Sequence, residues 1–105
     1  MSNPFRKAAP LDAPYAIYRS GDFEWRVLRT YKQTSSEAKD PYARWFVAAK
    51  SDATYGSFEY GDTYKNEVLS YGRLVAATPE WQESYRTWPI GLVPTPTELM
   101  QSEDA

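Results

Sequence analysis

The sequence predicts a small α+β domain: an antiparallel sheet of four to five strands with two short helices and extended N- and C-terminal arms. Three observations predict this class. Segments of alternating apolar and polar residues are separated by glycine-containing turns. Helix-start motifs follow two of these segments, and most of the eight prolines lie near the two ends of the chain. A length of 105 residues is typical of one domain.

The chain divides into three predicted regions. Residues 1–14 contain three prolines and no sustained periodicity, which predicts an extended N-terminal arm. Residues 15–86 form the predicted α+β domain. Residues 87–105 form a C-terminal arm with a short helix near its end.

The first predicted unit is a β-hairpin, with strands over residues 15–19 and 23–32 joined by Ser20-Gly21-Asp22. Glycine next to aspartate suits the positive φ angles of a tight hairpin turn. Because side chains change face at every residue of a strand, residues 23–32 divide into two sets. The predicted core set is Phe23, Trp25, Val27, Arg29 and Tyr31, and the opposite set is Glu24, Arg26, Leu28, Thr30 and Lys32.

The next segment, residues 33–41, is polar and charged, so we predict an exposed loop. Residues 43–50 then alternate again, and they predict a third strand with Trp45 on its core face. Trp25 and Trp45 also suit an exposed recognition patch, because tryptophan is enriched at interface hot spots. Their apolar neighbours favour a place in the core.

A fourth short strand is predicted near residues 57–60, and Gly61-Asp62 is expected to end it. Asp62 or Thr63 then caps a predicted helix that continues to about Tyr71. Gly72 suits the left-handed conformation that often follows a helix.

Residues 73–77 are apolar enough for a final strand. Thr78-Pro79-Glu80 is a strong helix start, with a capping hydroxyl and proline at the first helical position, and it puts Trp81 and Tyr85 on the packed side. Near the C-terminus, the spacing from Thr95 to Glu98 matches a capping box and predicts a short terminal helix.

The composition disfavours an enzyme. The chain has nine Tyr, four Trp and four Phe, but no His and no Cys, so imidazole bases, thiolate nucleophiles and their zinc sites are excluded. Glu59, Asp62 and Glu67 could provide oxygen ligands for a hard cation, but their spacing matches no calcium loop. We therefore predict no catalytic residue, no metal and no cofactor.

The cellular setting is inferred from absences along the sequence. Apolar runs are far shorter than the roughly 20 residues that cross a bilayer, and the N-terminus lacks the apolar segment of a secretory signal. Together with the lack of cysteine, these features predict a cytoplasmic protein without membrane contact.

Charge is distributed unevenly. Residues 19–50 carry seven basic and four acidic side chains, whereas residues 51–105 carry three basic and nine acidic ones. Such a split is typical of an uneven solvated surface, but it also suits a basic binding face. Basic groups beside an aromatic ring on a sheet can bind single-stranded nucleic acid. The candidate residues are Arg26, Lys32, Arg44, Phe46 and Lys50.

The C-terminal arm carries a second candidate site. Trp88 lies outside any periodic element and directly before a proline, and Ile90 and Leu92 follow it. Trp88 either packs the arm onto the domain or anchors a protein partner; Ile90 and Leu92 are candidates for the same partner contact.

Three segments, YAIYRSGDFEWRVL (15–28), ARWFVA (43–48) and FEYGDTY (58–64), give the chain a resemblance to a known group. The sequence resembles small uncharacterised proteins encoded by phages of mycobacteria and related actinobacteria. The resemblance covers roughly residues 15–85, carries no site motif, and implies a protein that binds a host or phage macromolecule.

We therefore expect a non-enzymatic protein-binding module, with a phage-encoded protein that binds host machinery as the specific form of this hypothesis. A virion structural or assembly protein is the first alternative, because proline-rich arms are usually ordered only when something holds them. Single-stranded nucleic-acid binding is the second. A homo-oligomer is compatible with each of them.

Overall fold

A computed structural model describes residues 3–52, 54–85 and 94–103. The strands are β1 (Ala16–Ser20), β2 (Phe23–Thr30), β3 (Arg44–Lys50), β4 (Glu59–Tyr64) and β5 (Arg73–Ala77), and the helices are α1 (Thr34–Lys39), α2 (Lys65–Tyr71), α3 (Pro79–Ser84) and α4 (Pro96–Glu103). All paired strands are antiparallel, in the order β4-β3-β2-β1-β5. The predicted α+β class is confirmed.

The hairpin of β1 and β2 has the predicted turn. Gly21 adopts a φ of +60°, a conformation that L residues with a side chain rarely adopt. Ser20 then pairs with Phe23, and the register continues to Ala16 opposite Val27.

A β-bulge interrupts the alternation of β2. Val27 pairs with Val47, but Arg29 pairs with Phe46, so Leu28 is an extra residue in the ladder. Because one extra residue changes the face of everything after it, Thr30 lies opposite Trp45 on the core side. The prediction that Arg29 and Tyr31 share a face with Val27 is therefore wrong. Both lie on the opposite face, where Tyr31 contacts Arg29 and Asp62.

The main core lies between one face of the sheet and α2, α3 and the N-terminal segment. It is an aromatic cluster centred on Trp45 and Trp81, which are both fully buried and 5.1 Å apart between ring centroids. Tyr18 stacks against Trp45, and Tyr85 contacts both tryptophans. The predicted core positions of Trp25 and Trp45 are confirmed.

Helix α1 occupies the segment predicted as a loop. Its first turn has no side-chain cap, and the local sequence is a weak helix former. Tertiary contacts compensate for this: Glu37 is fully buried, and the Lys65 ammonium donates to the carbonyl oxygens of Glu37 and Ala38 at 2.7 and 3.4 Å. A side chain distant in sequence thus satisfies the end of the helix.

Strand β4 is longer than predicted, because Gly61 and Asp62 continue it rather than end it. They pair with Val47 and Phe46 of β3, and the ladder outweighs their poor intrinsic strand preference. Helix α2 consequently starts later, at Lys65, with Tyr64 as its N-cap and no side-chain cap bond. The predicted caps Asp62 and Thr63 are both strand residues.

Gly72 follows α2 in an extended conformation, with φ −95° and ψ 150°, so the predicted left-handed exit is wrong. Close packing explains this glycine instead. A Cβ atom there would lie 2.7 Å from the Val68 carbonyl oxygen and 3.0 Å from the Trp25 ring. A side chain at this position would therefore force the backbone or the Trp25 ring to shift.

The two remaining helix starts are confirmed. The Thr78 side chain accepts a hydrogen bond from the Trp81 amide at the start of α3. At α4, the Thr95 amide donates to the Glu98 carboxylate, and the Glu98 amide donates to the Thr95 hydroxyl. This reciprocal pair is a capping box.

The N-terminal arm packs onto the domain through Phe5, whose side chain is 1% exposed. The Phe5 ring meets Trp81 edge-on at 4.9 Å, and its carbonyl accepts from the Thr30 amide at 2.8 Å. Further along the arm, the Ala9 amide donates to the backbone carbonyl of Leu28, the extra residue of the bulge. The first arm thus contributes both core volume and backbone pairing.

Within the described part of the chain, no helix is long and apolar enough to span a bilayer.

Candidate functional site

The sheet face opposite the aromatic core carries alternating cations and aromatic rings on β2, β3, β4 and the segment before β4. We call it the cation-aromatic face. Its members are Arg26, Arg29, Tyr31, Arg44, Phe46, Lys50, Phe58, Tyr60, Asp62 and Tyr64.

Each cation on this face lies over a ring. The guanidinium of Arg44 is 5.0 Å from the Tyr64 centroid, and that of Arg29 is 4.8 Å from Tyr31 and 5.4 Å from Phe46. At the other end, Arg26 and Lys50 both lie 4.5 Å from the ring of Phe58. Cation-π contacts contribute about 0.5–1 kcal/mol each at exposed sites, so they hold these side chains in place.

The exposed part of the face lies toward β4, the edge of the sheet. Tyr60 and Tyr64 are 58% and 44% exposed, and Arg44 is also exposed. Phe46 is half-buried and stacks with Tyr60 at 6.1 Å and an interplanar angle of 21°. Flat rings and guanidinium groups therefore form the outer surface here.

Three cations of the face form no close ion pair with a carboxylate of the described residues: Arg29, Arg44 and Lys50. Nε of Arg29 is buried and also lacks a hydrogen-bond acceptor within the described ranges. Asp62 is close, but its Oδ1 accepts from the Tyr31 hydroxyl at 2.5 Å. The face consequently has an excess of positive charge on a chain whose net charge is −2.

Arg26 differs from these three because it is used structurally. Its Nε donates to Glu24 at 2.8 Å, and Arg19 donates to the other oxygen of the same carboxylate at 2.7 Å. Burial alone would raise the pKa of Glu24, but the two arginines outweigh it and hold the pKa below its ordinary value. Arg26 also donates to the carbonyl of Leu11, which fixes the N-terminal arm.

A shallow cleft of about 310 Å³ opens at one end of the face. It lies between Tyr31, Lys32, Tyr42, Arg44 and Asp62. Its lining offers two cations, one carboxylate and two phenol hydroxyls, a set that suits a polar or anionic group. The Lys32 ammonium forms an ion pair with Asp40 at its rim.

The opposite side of β4 carries a groove of about 240 Å³ that is lined by both apolar and acidic residues. Its floor consists of Phe23, Trp25, Val47 and Ala49, and Gly61 lies at its edge. A Cβ added to Gly61 would meet no atom within 4 Å, so the strand leaves the groove open. We call this the Trp25 groove.

The sequence-predicted basic residues are thus brought together in part. Arg26, Arg44, Phe46 and Lys50 share the cation-aromatic face, while Lys32 lies beyond the end of β2, at the rim of the cleft. Leu28 is buried in the bulge. Trp88, Ile90 and Leu92 lie outside the described residues, so their predicted role in protein binding stays a prediction.

Sequence reasoning missed Arg29, Tyr31, Tyr60 and Tyr64 as members of the face. For Arg29 and Tyr31 the obstacle was the bulge. The tyrosines of β4 could have been found from the period-two sequence Tyr60-Gly61-Asp62-Thr63-Tyr64, had the Gly61-Asp62 pair not been read as a strand end.

The acidic candidates are separated by β4. The register turns the Asp62 side chain to the cation-aromatic face and that of Glu59 to the opposite side, although Asp62 also borders the Trp25 groove beside Glu59 and Glu67. The Thr63 hydroxyl donates to Glu67 at 2.7 Å. In the described ranges, no three acidic side chains cluster as a metal site would require.

Scans against protein-family models, curated proteins and solved structures found no match to this chain. The resemblance to phage proteins accordingly stays a prediction.

Proposed function

We propose that the protein is a non-enzymatic protein-binding module and that the exposed part of the cation-aromatic face is its contact surface. The observation that carries this proposal is the exposed Arg44 guanidinium, which forms no ion pair with the described residues and lies over the exposed Tyr64 ring of the edge strand. Arg29 on β2 and Lys50 at the end of β3 add positive charge to the same face. Arginine and tyrosine are the residues most enriched at interface hot spots, together with tryptophan.

The face is also preorganised for binding. Cation-π contacts hold the Arg29 and Arg44 side chains in position before a partner arrives, which reduces the entropy that binding must overcome. A partner carboxylate would complete ion pairs that the described residues leave open. Acidic surfaces on a protein are the matching chemistry.

Single-stranded nucleic acid is the second candidate, and the stacking of Phe46 on Tyr60 favours it. Bases stack on exposed rings flanked by cations. One observation favours protein instead: several of the rings on which bases would stack are already covered by guanidinium groups.

The test is a photocrosslinking comparison at two exposed tyrosines. A photoreactive amino acid replaces Tyr60 on the face or Tyr71 on α2, which is 70% exposed and lies elsewhere. We expect the Tyr60 variant to capture a protein that the Tyr71 variant does not. Equal capture at both positions would contradict the assignment of the surface.

Binding of the captured protein is then measured with Arg44→Glu and with Lys39→Glu, a charge reversal on an exposed residue of α1. The expected result is loss of affinity with Arg44→Glu only. If both variants bind as tightly as the wild type, the cation-aromatic face is not the contact surface.

A further inference from the structure

Strand β4 is an edge strand with two different surfaces on its two sides. Five of its six residues are exposed, and no described strand pairs with its outer edge. Tyr60, Asp62 and Tyr64 project onto the cation-aromatic face, while Glu59, Gly61 and Thr63 project toward the Trp25 groove.

We infer that β4 is the docking strand for an extended acidic segment of the partner, which adds to the sheet as a sixth strand. This inference rests on the proposed protein-binding function. Main-chain hydrogen bonds from an open edge give such complexes their affinity, and pockets for alternate side chains give them specificity.

The two surfaces determine the pattern of the segment. An added strand lies about 4.8 Å from β4 and alternates its side chains between the same two faces. On one side they meet the guanidinium of Arg44, which already extends over the Tyr64 ring of β4. On the other side they meet the apolar floor of the groove, which includes Phe23 and Trp25.

Charge places the acids on one face only. Glu59 and Glu67 line the groove and would repel a carboxylate on that side, whereas Arg44, whose guanidinium lies over the Tyr64 ring of β4, attracts one on the other side. The segment that fits is therefore an extended stretch in which acidic and apolar residues alternate.

Gly61 has a specific place in this arrangement. It is the β4 residue between Tyr60 and Asp62, it lies at the edge of the groove, and the space where its side chain would be is empty. That space is available to an apolar side chain of the added strand. A Cβ atom at position 61 would meet no atom within 4 Å, so the side chain of a leucine there would extend into this space.

The experiment uses two peptides of about eight residues, a common strand length. One alternates glutamate with leucine, and the other has the same composition with all glutamates first. Titrations into the full chain are followed by tryptophan fluorescence, to which Trp25 contributes as one of four tryptophans, and by hydrogen exchange of the amides of residues 59–64. We expect the alternating peptide to bind at least about tenfold more tightly and to protect those amides.

Two variants and one matched control divide the possible outcomes. Gly61→Leu and Arg44→Glu should each weaken binding of the alternating peptide by about tenfold or more, whereas Ser35→Leu on the exposed side of α1 should not. Strand addition is wrong if both peptides bind equally, if Arg44→Glu weakens both and if Gly61→Leu weakens neither. In that case the cation-aromatic face still binds acidic chains.

Other results would overturn more. No binding of either peptide, or affinities that do not change with Arg44→Glu, would count against both strand addition and the proposed function. Tighter binding of a single-stranded oligonucleotide than of the alternating peptide, lost in Arg44→Glu, would replace the protein partner with nucleic acid. Protection of residues 59–64 that rises with protein concentration alone would identify a second copy as the occupant.

Discussion

The indole of Trp45 donates a buried hydrogen bond to Oε1 of Glu37 over 2.6 Å. The Tyr85 hydroxyl donates to the same oxygen, while Oε2 is buried and has no partner among the described residues. A carboxylate from a six-residue helix thus lies at the centre of the aromatic core and connects α1 to β3 and to the end of α3.

This arrangement makes Glu37 the most sensitive polar position of the core. We expect Glu37→Ala to lower the free energy of unfolding by about 3–5 kcal/mol, because two buried donors lose their acceptor and Lys65 loses a nearby opposite charge. Glu37→Gln should cost less, since it keeps an acceptor oxygen. Urea denaturation gives both values. Exposed Glu80→Ala is the control, and a similar cost for Glu80 and Glu37 would refute the role of the network.

Stability should depend on pH in two separate windows. Burial raises the pKa of Glu37 above its ordinary value of 4.5, against the hydrogen bonds from Tyr85 and Trp45. The folded state then binds this proton more tightly than the unfolded state, so the contribution of Glu37 falls as pH rises from 4.5 to the folded pKa. The pKa of Glu24 is lowered, so its contribution is present above 4.5 and is lost as pH falls below it.

The measurement is the free energy of unfolding of the wild type, Glu37→Gln and Glu24→Gln from acid to neutral pH. The upper slope should disappear in Glu37→Gln. The lower slope should become shallower in Glu24→Gln but persist in part, because hydrogen bonds also lower the pKa values of Asp40 and Asp52. A wild type whose stability rises monotonically through the upper window, with no difference in Glu37→Gln, would contradict the assignment to Glu37.

Three glycines provide a graded test of backbone requirements. Gly72→Ala should destabilise by about 1–3 kcal/mol, because the new Cβ would overlap the Val68 carbonyl and press on Trp25. Gly21→Ala should cost about 1 kcal/mol through its positive φ. Gly61→Ala should be neutral or slightly stabilising, since its Cβ would meet nothing. Thermal unfolding ranks the three, and a cost at Gly61 equal to that at Gly72 would refute the packing explanation.

Among the side chains of the N-terminal arm, Phe5 should contribute most to stability. Phe5→Ala removes a buried ring that contacts Trp81, Tyr15 and Tyr85, and we expect a loss of about 3–5 kcal/mol. Arg6→Ala, at an exposed position of the same arm, should change stability by less than about 0.5 kcal/mol. Equal effects in calorimetry would mean that the arm does not pack as described.

The sequence was sufficient at three places where local chemistry determines the structure. The positive φ of Gly21, the threonine cap of α3 and the capping box of α4 each follow from two to four neighbouring residues. The α+β class followed from the same local patterns.

Features that depend on distant residues were not predictable. Helix α1 exists because Glu37 meets Trp45 and Lys65, and neither contact leaves a mark in the local sequence. Gly72 was correctly noted as special, but its reason is a ring from β2 rather than its own backbone angle. In the candidate site, Arg44, Phe46 and Lys50 were found from strand periodicity. Arg29 was lost because a bulge has no clear sequence signature.

The extra residue at Leu28 reverses which side chains of β2 face the core. Before it, Trp25 and Val27 belong to the core; after it, Arg29 belongs to the outer surface while Thr30 returns to the core beside Trp45. An alignment that assumed regular alternation through Leu28 would treat Arg29 as a core residue and the buried Thr30 as a surface residue. Before residue 28, the odd-numbered positions of β2 should therefore be the ones that tolerate few substitutions. After residue 28, the even-numbered positions should be.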